Sequence, residues 1–266
     1  MEAKNPVTTN LLAIASHHDD IEIMAMDGIL KAYGSKKYAF YGCVVGDGST
    51  CNKSGKYAEL NDKDMMEVRN QEQIRASEIG EYSKLYLLKH TPNEIVDAEN
   101  KSIIKDIKKI IEEVKPDVIY THNVFDKNPS HRALTLKVID AIMDMPEELR
   151  PRLLYGCEVF RGLDWLPDRY KVTFDLSENK ELQNRLIGVY DSRAEGFKDY
   201  TKAVMGRKLS NATLEYNAAS ETEDKLIWYG INLTSVIQKN IPIKEFCVKV
   251  LGDFNKELLD GLEISE

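Results

Sequence analysis

The sequence predicts an α/β domain with a mostly parallel sheet, because short apolar segments alternate with amphipathic ones along its first 145 residues. The apolar segments lack the polar alternation of a half-solvated strand, so we expect helices on both faces of the sheet. The 266 residues are long for one average domain and short for two. We therefore expect a single domain over 1–266, with a core at about 10–145 and a C-terminal elaboration at about 150–266.

The predicted core consists of strands that alternate with helices. Its clearest helix covers 102–114, where apolar residues recur with the spacing of one helix face. Beyond about residue 150 the pattern is less regular, and we expect three further strands and one further helix there. The predicted strands cover 11–15, 38–45, 85–88, 117–121, 153–154, 158–160 and 170–174, and the predicted helices cover 23–33, 62–80, 102–114, 129–143 and about 178–190.

The loop after the first strand contains two histidines and two aspartates, at 17–20. Ligands of parallel sheets bind at the carboxyl ends of the strands, so a site is expected at this loop. A dinucleotide-binding protein would have G-x-G-x-x-G here, because backbone amides must approach a diphosphate. Imidazole and carboxylate groups instead favour a divalent metal such as zinc. Alternatively, Asp19 or Asp20 only caps the next helix.

The loop after the fourth strand leads to a further histidine, His131. This residue would lie in the first turn of the next helix, where the helix dipole favours a neutral imidazole that can bind a metal. Asn128 precedes a proline, a pair typical of helix starts, so it caps the helix, contributes to the site, or does both. His122, at the strand end, is either a supporting residue of the site or a core histidine.

Together, the two loops offer two histidines and one aspartate around a metal, with a second aspartate beside it. Three protein ligands and one open position are typical of catalytic zinc sites, whereas structural sites have four ligands. Such a site supports hydrolysis, because the metal polarises a carbonyl and lowers the pKa of bound water. The free carboxylate would then transfer the proton to the leaving group.

These segments resemble the motifs of a known family. Ser16-His17-His18-Asp19-Asp20 is similar to the A-H-P-D-D-E motif of the PIG-L (LmbE-like) zinc-dependent N-deacetylases, and Asn128-Pro-Ser-His131 is similar to their H-P-D-H motif. Between them, Gly46-Asp47-Gly48 resembles the T-D-G turn of the family, and Arg69-Asn-Gln-Glu72 resembles its R-x-x-E helix. The four segments occur in the order of the family over roughly 10–145.

The resemblance implies a Rossmann-like fold and hydrolysis of an N-acyl group, usually acetyl, at a linear amide of an amino sugar or sugar conjugate. It implies that His17, Asp20 and His131 bind Zn²⁺ or another divalent metal. Asp19 would be the general base that activates water and then protonates the amine. Asn128 replaces the first histidine of the H-P-D-H motif, which is implicated in stabilising the oxyanion. The amide of Asn128 can donate one neutral hydrogen bond to an oxyanion, but it supplies no positive charge.

Five residues are predicted to contact the substrate. The resemblance implies this role for Arg69, although Arg69 and Glu72, one helical turn apart, suit a structural ion pair equally well. Arg161 and Trp165 follow a later strand and suit hydrogen bonding to and stacking on a sugar, whereas Trp165 suits core or interface packing equally well. The predicted substrate-binding residues are Arg69, Asn123, Asp126, Arg161 and Trp165.

Composition argues against several other classes of function. The formal net charge is −8, from 36 basic and 44 acidic residues, which disfavours binding to nucleic acid or to an anionic membrane surface. The sequence shows no apolar run near the roughly 20 residues of a membrane span, and residues 1–6 show no signal-peptide pattern. The four cysteines form no C-x-x-C pair. We therefore expect a cytoplasmic protein with a small N-acylated, amino-sugar-like substrate, and homo-oligomerisation stays open.

The sequence is also compatible with other functions. The residues Asn128 and Ser130, which replace a histidine and an aspartate of the family, are compatible with a degenerate, non-catalytic member that binds a sugar or metabolite. A shifted acid role for His18, His122 or Asp126 is also compatible with the sequence. A nucleotide-dependent oxidoreductase would share the fold class, but the sequence lacks the glycine fingerprint that it needs.

Overall fold

The computed structural model describes residues 8–49, 53–195, 199–215 and 225–262. The segment 1–6, where no signal peptide is expected, lies outside the described residues. The strands are β1 (Thr9–Ala15), β2 (Tyr38–Gly46), β3 (Lys84–His90), β4 (Val118–His122), β5 (Leu153–Cys157), β6 (Lys171–Asp175) and β7 (Ile227–Asn232). The α-helices are α1 (Asp20–Met24), α2 (Met26–Ala32), α3 (Asp62–Ile79), α4 (Pro92–Val96), α5 (Ser102–Val114), α6 (Pro129–Met143), α7 (Lys180–Ile187), α8 (Asp191–Ala194), α9 (Tyr200–Leu214), α10 (Thr234–Gln238) and α11 (Ile243–Leu262).

The described strands form one sheet in the order β3-β2-β1-β4-β5-β7-β6. The five strands from β3 to β5 are parallel, and β7 runs antiparallel to both β5 and β6. The predicted α/β class with a mostly parallel sheet is therefore confirmed. The chain reverses its winding direction between the neighbours β1 and β4, which is where such sheets bind ligands.

Apolar layers cover both faces of the sheet. Leu12 and Ile14 of β1 belong to a layer that includes residues of α5 and α6. Leu11 and Ala13 belong to the opposite layer, which includes residues of α2 and α7. This division follows from the two-residue period of a strand. Because both layers hold the strands in place, the loops at their carboxyl ends have fixed anchor points for a functional site.

The helix predicted over 23–33 is divided in the structure. The chain forms α1 and α2 with Ala25 between them, and α1 begins earlier than predicted, at Asp20. The second helix lies very close to the sheet at Gly28, where a Cβ atom would be 2.8 Å from the Phe40 ring and 2.9 Å from the Tyr120 ring. The early start of α1 brings Asp20 to the carboxyl end of β1.

The strand predicted over 158–160 is not formed, and these residues belong to a loop after β5. The carboxylate of Glu158 is buried and accepts the backbone N–H of Leu163 at 2.8 Å and that of Tyr229 at 3.3 Å. These hydrogen bonds shape a turn that the apolar neighbours of Glu158 did not indicate.

The structure also contains elements that the sequence pattern did not predict, namely α4 and, beyond residue 190, α8 to α11 and β7. Both β6 and β7 extend the sheet of the core, so the C-terminal part continues the same α/β domain. Among the described residues, no helix combines the length and apolar composition that crossing a membrane requires.

Candidate metal centre and active site

Three side chains from two loops converge at the carboxyl ends of β1 and β4. His17 Nδ1 lies 3.0 Å from Asp20 Oδ2 and 3.0 Å from His131 Nε2, and His131 Nε2 lies 3.2 Å from Asp20 Oδ2. Two ligands of a tetrahedral zinc ion with bonds of about 2.0 Å are about 3.3 Å apart. The three predicted ligands therefore lie together, and their donor set and spacing fit a divalent metal.

Packing and charge hold the ring of His131 in place. His122 and Phe160 both stack on this ring, with centroid distances of 3.8 and 5.2 Å. Asp126 Oδ1 lies 3.2 Å from Nδ1, so the opposite ring nitrogen is turned towards Asp20. Burial lowers the pKa of His131, but the charges of Asp20 and Asp126 outweigh it and raise the pKa to about 9. The two carboxylates therefore favour a positive charge at the ring of His131.

Asp126 and Asn123 support the loop and do not line the cavity at the cluster. The buried carboxylate of Asp126 accepts the backbone N–H of Asn128 at 2.9 Å. Burial raises the pKa of Asp126, but His131 and the backbone donors outweigh this effect and lower it to about 2, so the group stays ionised. Asn123 is buried and donates to the backbone oxygen of Cys157 at 3.1 Å. Neither side chain is therefore placed to contact a substrate bound in this cavity.

His122 and His18 are buried neutral imidazoles. His122 Nε2 accepts the backbone N–H of Ser16 at 2.8 Å, so this lone pair is already occupied. Burial and the charge of His131 hold the pKa of His122 well below its usual range. Burial, followed by the charge of Arg69, lowers the pKa of His18 to about 3. Neither ring carries a proton that it can donate as an acid near neutral pH.

Asp19 reaches the cavity through an uncommon backbone conformation. Its φ of 79° lies in the left-handed region, which residues other than glycine seldom adopt. Oδ2 accepts a hydrogen bond from Arg193 Nε at 3.0 Å, and Arg69 lies 3.6 Å from Oδ1. Two guanidinium groups thus fix the carboxylate beside the metal-ligand cluster.

Arg69 joins the cavity wall to a buried polar network. It is 1% exposed, and it donates to the backbone oxygen of His18 at 3.0 Å and to Ser192 Oγ at 2.9 Å. Glu72 accepts the backbone N–H of Ser192 at 2.7 Å and its hydroxyl at 2.6 Å. The arginine thus lines the cavity and also connects α3 to α8, and its contact with a substrate stays a prediction.

The cavity at the cluster has a volume of about 220 Å³. Asn128 lines it, and its Oδ1 also accepts the backbone N–H of Ser130 at 2.8 Å, which caps α6. Several other residues line the cavity without a role predicted from the sequence. Asp47 belongs to a Gly-Asp-Gly motif at the end of β2, so its place at this edge of the sheet could be inferred from the sequence. No sequence pattern indicates the lining residues of the C-terminal part. The lining residues without a predicted role include Asp47, Phe160, Arg193 and Tyr200.

A larger cavity of about 1030 Å³ lies next to the first, and Phe160 lines both. Trp165 lines only this outer cavity, and its ring packs edge-on against Phe125 at 5.3 Å and Phe254 at 5.2 Å. Arg161 is exposed and lines neither cavity. Of the two residues predicted after β5, only the tryptophan lines one of these two cavities, and it is not the cavity at the cluster.

Comparisons with solved structures show which proteins share this fold. GalB, the 4-carboxy-2-hydroxymuconate hydratase of Pseudomonas putida, superposes with a TM-score of 0.65 at 15% identity, over 85% of this chain and 96% of that chain. The N,N'-diacetylchitobiose deacetylase of Pyrococcus horikoshii gives 0.64 at 16% identity, over 88% of each chain. A deacetylase of teicoplanin biosynthesis gives 0.59 at 14% identity, over 84% of this chain and 97% of that chain. At these identities the likeness shows the fold alone.

Comparison of the sequence with family models identifies a family domain in this chain. No protein with curated annotation matches the chain. Residues 12–142 match the family model described as PIG-L, GlcNAc-PI de-N-acetylase, and this segment contains the cluster of His17, Asp20 and His131. The chain therefore carries a PIG-L family domain at 12–142.

Proposed function

We propose that this protein is a metal-dependent hydrolase that removes an N-acyl group, most simply acetyl, from an amino sugar or a sugar conjugate. The observation that carries the proposal is the cluster of His17, Asp20 and the buried His131, whose first two members line one cavity together with Asp19. The family domain and the fold shared with two deacetylases support the same reaction class.

The residues of the cluster have separate tasks. His17, Asp20 and His131 would hold Zn²⁺ or another divalent ion, which when bound supplies polarisation of the acyl carbonyl and a lower pKa of water. Asp19 accepts the proton of the attacking water and delivers it to the nitrogen of the leaving amine. Arg193 keeps the carboxylate in one orientation during both transfers, because it donates to Oδ2.

Asn128 is the proposed donor to the oxyanion. Its Oδ1 is engaged with the N–H of Ser130, so the Nδ2 group is the end of the side chain that would meet a substrate oxygen. A neutral amide stabilises an oxyanion less than a charged donor does. The side chain is therefore compatible with slow rather than absent turnover.

The two cavities suggest the size of the substrate. About 220 Å³ accommodates an acyl group and part of one sugar, whereas the outer cavity of about 1030 Å³ accommodates a second, larger group. The rings of Phe160 and Trp165 in its wall suit packing against the apolar face of a sugar or an aglycone. We therefore favour a conjugate over a free N-acetylated monosaccharide.

The test combines metal analysis with a deacetylation screen. The purified protein should contain about one metal ion per chain and release acetate from some member of a panel of N-acetylated amino sugars and their conjugates. Asp19→Asn should retain the metal but lose turnover, because an amide accepts no proton at this position. Asparagine also tolerates the left-handed conformation, so the fold should persist.

Paired variants make the result specific. The double variant His17→Ala/His131→Ala should bind no metal. His90→Ala is the matched control, because His90 belongs neither to the cluster nor to the cavity lining and its Nε2 contacts Asp106 Oδ2 at 3.2 Å. A wild-type protein without bound metal, or turnover that survives Asp19→Asn, would contradict the proposal.

Hydration of an unsaturated carboxylic acid is a second candidate. The fold shared with a hydratase, together with the guanidinium groups of Arg69 and Arg193 at the cavity, favours a carboxylate substrate. Loss of ultraviolet absorbance from a panel of conjugated unsaturated acids would identify this reaction. A metal-loaded protein that is inert with both panels would instead indicate a binding protein of the same family.

A further inference from the structure

His18 is a buried imidazole that the proposed reaction does not use, although it precedes the proposed base directly in the chain. Its Nε2 lies 3.0 Å from Asn70 Oδ1. An amide oxygen can only accept, so Nε2 carries the ring proton and donates it to this hydrogen bond. Asn70 is buried as well, and its side chain has no other hydrogen-bond partner within the described ranges. The pair therefore joins the loop after β1 to α3.

The peptide unit between His18 and Asp19 is held by the same helix at both of its polar groups. The backbone oxygen of His18 accepts a hydrogen bond from Arg69 Nη2 at 3.0 Å, and the backbone N–H of Asp19 donates to Gln73 Oε1 at 3.3 Å. With the ring contact, three hydrogen bonds reach one buried face of α3. Together they fix the orientation of this peptide plane.

The orientation of the plane matters because Asp19 has a left-handed backbone. A residue other than glycine keeps a φ of 79° only where its surroundings enforce it. The φ angle is the rotation about the N–Cα bond that joins this peptide plane to the Cα of Asp19, so a fixed plane restrains φ. Arg193 acts elsewhere, since it contacts the carboxylate and orients the side chain.

The other edge of the His18 ring is covered. A Cβ atom at Gly48 would lie 3.1 Å from Cε1 and 3.2 Å from Nδ1, so the loop after β2 packs against the ring. Nδ1 is buried and has no hydrogen-bond partner in the part of the chain that the structure describes. With one nitrogen bonded to Asn70 and the other covered, the ring is placed to hold the backbone rather than to contact a substrate or an ion.

We propose that His18 is a positioning residue for Asp19, and that its hydrogen bond to Asn70 keeps the peptide between them in the orientation that presents the Asp19 carboxylate to the cavity. This role rests on the proposed function, in which Asp19 is the general base. The A-H-P-D-D-E motif has a proline at the position of His18. A proline restrains the backbone through its own ring, whereas His18 restrains it through α3.

Kinetics of two His18 variants test the role. His18→Leu removes the donor, so kcat for acetate release should fall about tenfold, because a displaced base slows both proton transfers. KM and bound metal should not change. His18→Gln keeps an N–H near the position of Nε2 and should recover most of the rate. An unchanged kcat in His18→Leu, or an equal loss in both variants at full metal occupancy, overturns the proposal.

Substitution of Asn70 tests whether the two side chains act as one unit, and it replaces His18→Leu if that variant does not fold. Asn70→Leu should lose as much kcat as His18→Leu, and the variant with both changes should lose no more than either alone. Losses that multiply would overturn the proposal, since they indicate independent effects.

Asn10→Leu is the matched control for Asn70→Leu. Asn10 donates to the backbone oxygen of Val114 at 2.6 Å, at the amino end of β1 and thus at the opposite end of the strand from the site. Its loss should lower the midpoint of thermal unfolding but leave kcat unchanged. A kcat loss as large as that of Asn70→Leu would trace the effect to stability and overturn the proposal.

Crystal structures of the variants separate this role from the proposed reaction. Residue 19 should keep a φ near 79° in His18→Gln and leave the left-handed region in His18→Leu and Asn70→Leu. A wild-type protein without turnover would refute the reaction, and these structures would then decide the role of His18 by themselves. A left-handed Asp19 with an unmoved carboxylate in both leucine variants overturns it.

Discussion

Asn128 performs two tasks with one side chain, since it caps α6 through Oδ1 and lines the cavity. Asn128→His would remove the cap, at a cost of about 1 kcal/mol, and would add an ionisable donor. We expect lower stability by thermal unfolding together with a higher kcat in the deacetylation assay. Asn128→Asp keeps the cap but adds a negative charge, so its stability should hold while its kcat falls. A lower kcat for the histidine variant at full metal occupancy would contradict the proposed role.

Arg193 connects the C-terminal part of the chain to the proposed base, with a hydrogen bond to Asp19 across 174 positions of sequence. Arg193→Gln would remove the charge, and we expect kcat to fall about tenfold with little change in KM. Arg193→Lys should restore only part of the rate, because an ammonium lacks the planar fork of a guanidinium. Arg185→Gln on α7, an exposed position, is the control. An unchanged kcat in Arg193→Gln would refute this role.

At the scale of elements, β1 and β2 approach each other closely where they end. Gly46 donates its N–H to the backbone oxygen of Ser16 at 3.0 Å, and a Cβ atom at position 46 would lie 2.5 Å from that oxygen. Gly46→Ala should cost roughly 1–3 kcal/mol of unfolding free energy and weaken metal binding, because the displaced Ser16 precedes His17. Denaturant unfolding and metal titration would measure both effects.

Gly206→Ala is the control for this change. Position 206 lies inside α9, and a Cβ atom there would meet nothing within 4 Å. Alanine should stabilise that helix by about 0.5–1 kcal/mol. If both substitutions changed the unfolding free energy equally, the close approach of the chain at Gly46 would not determine the stability effect there.

The packing of α7 against α9 contains a buried lysine. Lys208 is 0% exposed, and Nζ donates to Gln183 Oε1 at 2.8 Å. Burial lowers its pKa to about 7, whereas the unfolded chain keeps the ordinary value. Above pH 7 the unfolded state therefore binds more protons than the folded state, so the unfolding free energy should rise with pH until the ordinary pKa of about 10.4 is reached. Lys208→Met should remove this slope and be more stable at pH 6.

Urea unfolding at a series of pH values would measure the slope. Lys202→Met on the same helix is the control, because Lys202 is exposed and should leave the slope unchanged. Identical slopes for the wild type and Lys208→Met would show that the buried amine does not titrate in this range.

Elements with strong local patterns could be predicted from the sequence, and those defined by distant contacts could not. The helices predicted over 102–114 and 129–143 have the observed bounds of α5 and α6, since the apolar spacing of the first and the Asn128 cap of the second are local features. Strand β7 lies between β5 and β6 and depends on both. The three proposed metal ligands follow strand ends, so their proximity could be predicted, whereas the position of Arg193 depends on the path of the chain around the sheet.

At the scale of the whole molecule, the cluster joins segments that are far apart in sequence. His17 and His131 are separated by 114 positions, so an ion held between them binds the folded chain and not the unfolded one. Free Zn²⁺ at 100 times its Kd should add about 2.7 kcal/mol to the unfolding free energy. A chelator should therefore lower the midpoint of thermal unfolding, and added Zn²⁺ should restore it.

The double variant His17→Ala/His131→Ala is the reference for that measurement, and its unfolding midpoint should not respond to chelator or metal. A wild-type midpoint that is equally insensitive would mean that the folded chain does not bind the ion. A response of similar size in both proteins would indicate a site elsewhere on the surface.

The C-terminal elaboration completes the site rather than standing apart from it. Phe160, Arg193 and Tyr200 all lie beyond residue 150, and all line the cavity at the metal-ligand cluster. The segment that matches the family model therefore supplies the proposed metal ligands and the proposed base, while the rest of the chain supplies further walls of the cavity. Differences in substrate between members of such a family are expected to arise in those walls.

The two tryptophans of the chain occupy contrasting environments. Trp228 is 1% exposed and donates Nε1 to the backbone oxygen of Glu158, so its fluorescence emission should stay constant. Trp165 is half-buried between the outer cavity and Phe254 of α11. Native emission therefore offers a label-free signal for a ligand in the outer cavity, which would change the emission of Trp165 while that of Trp228 stays constant.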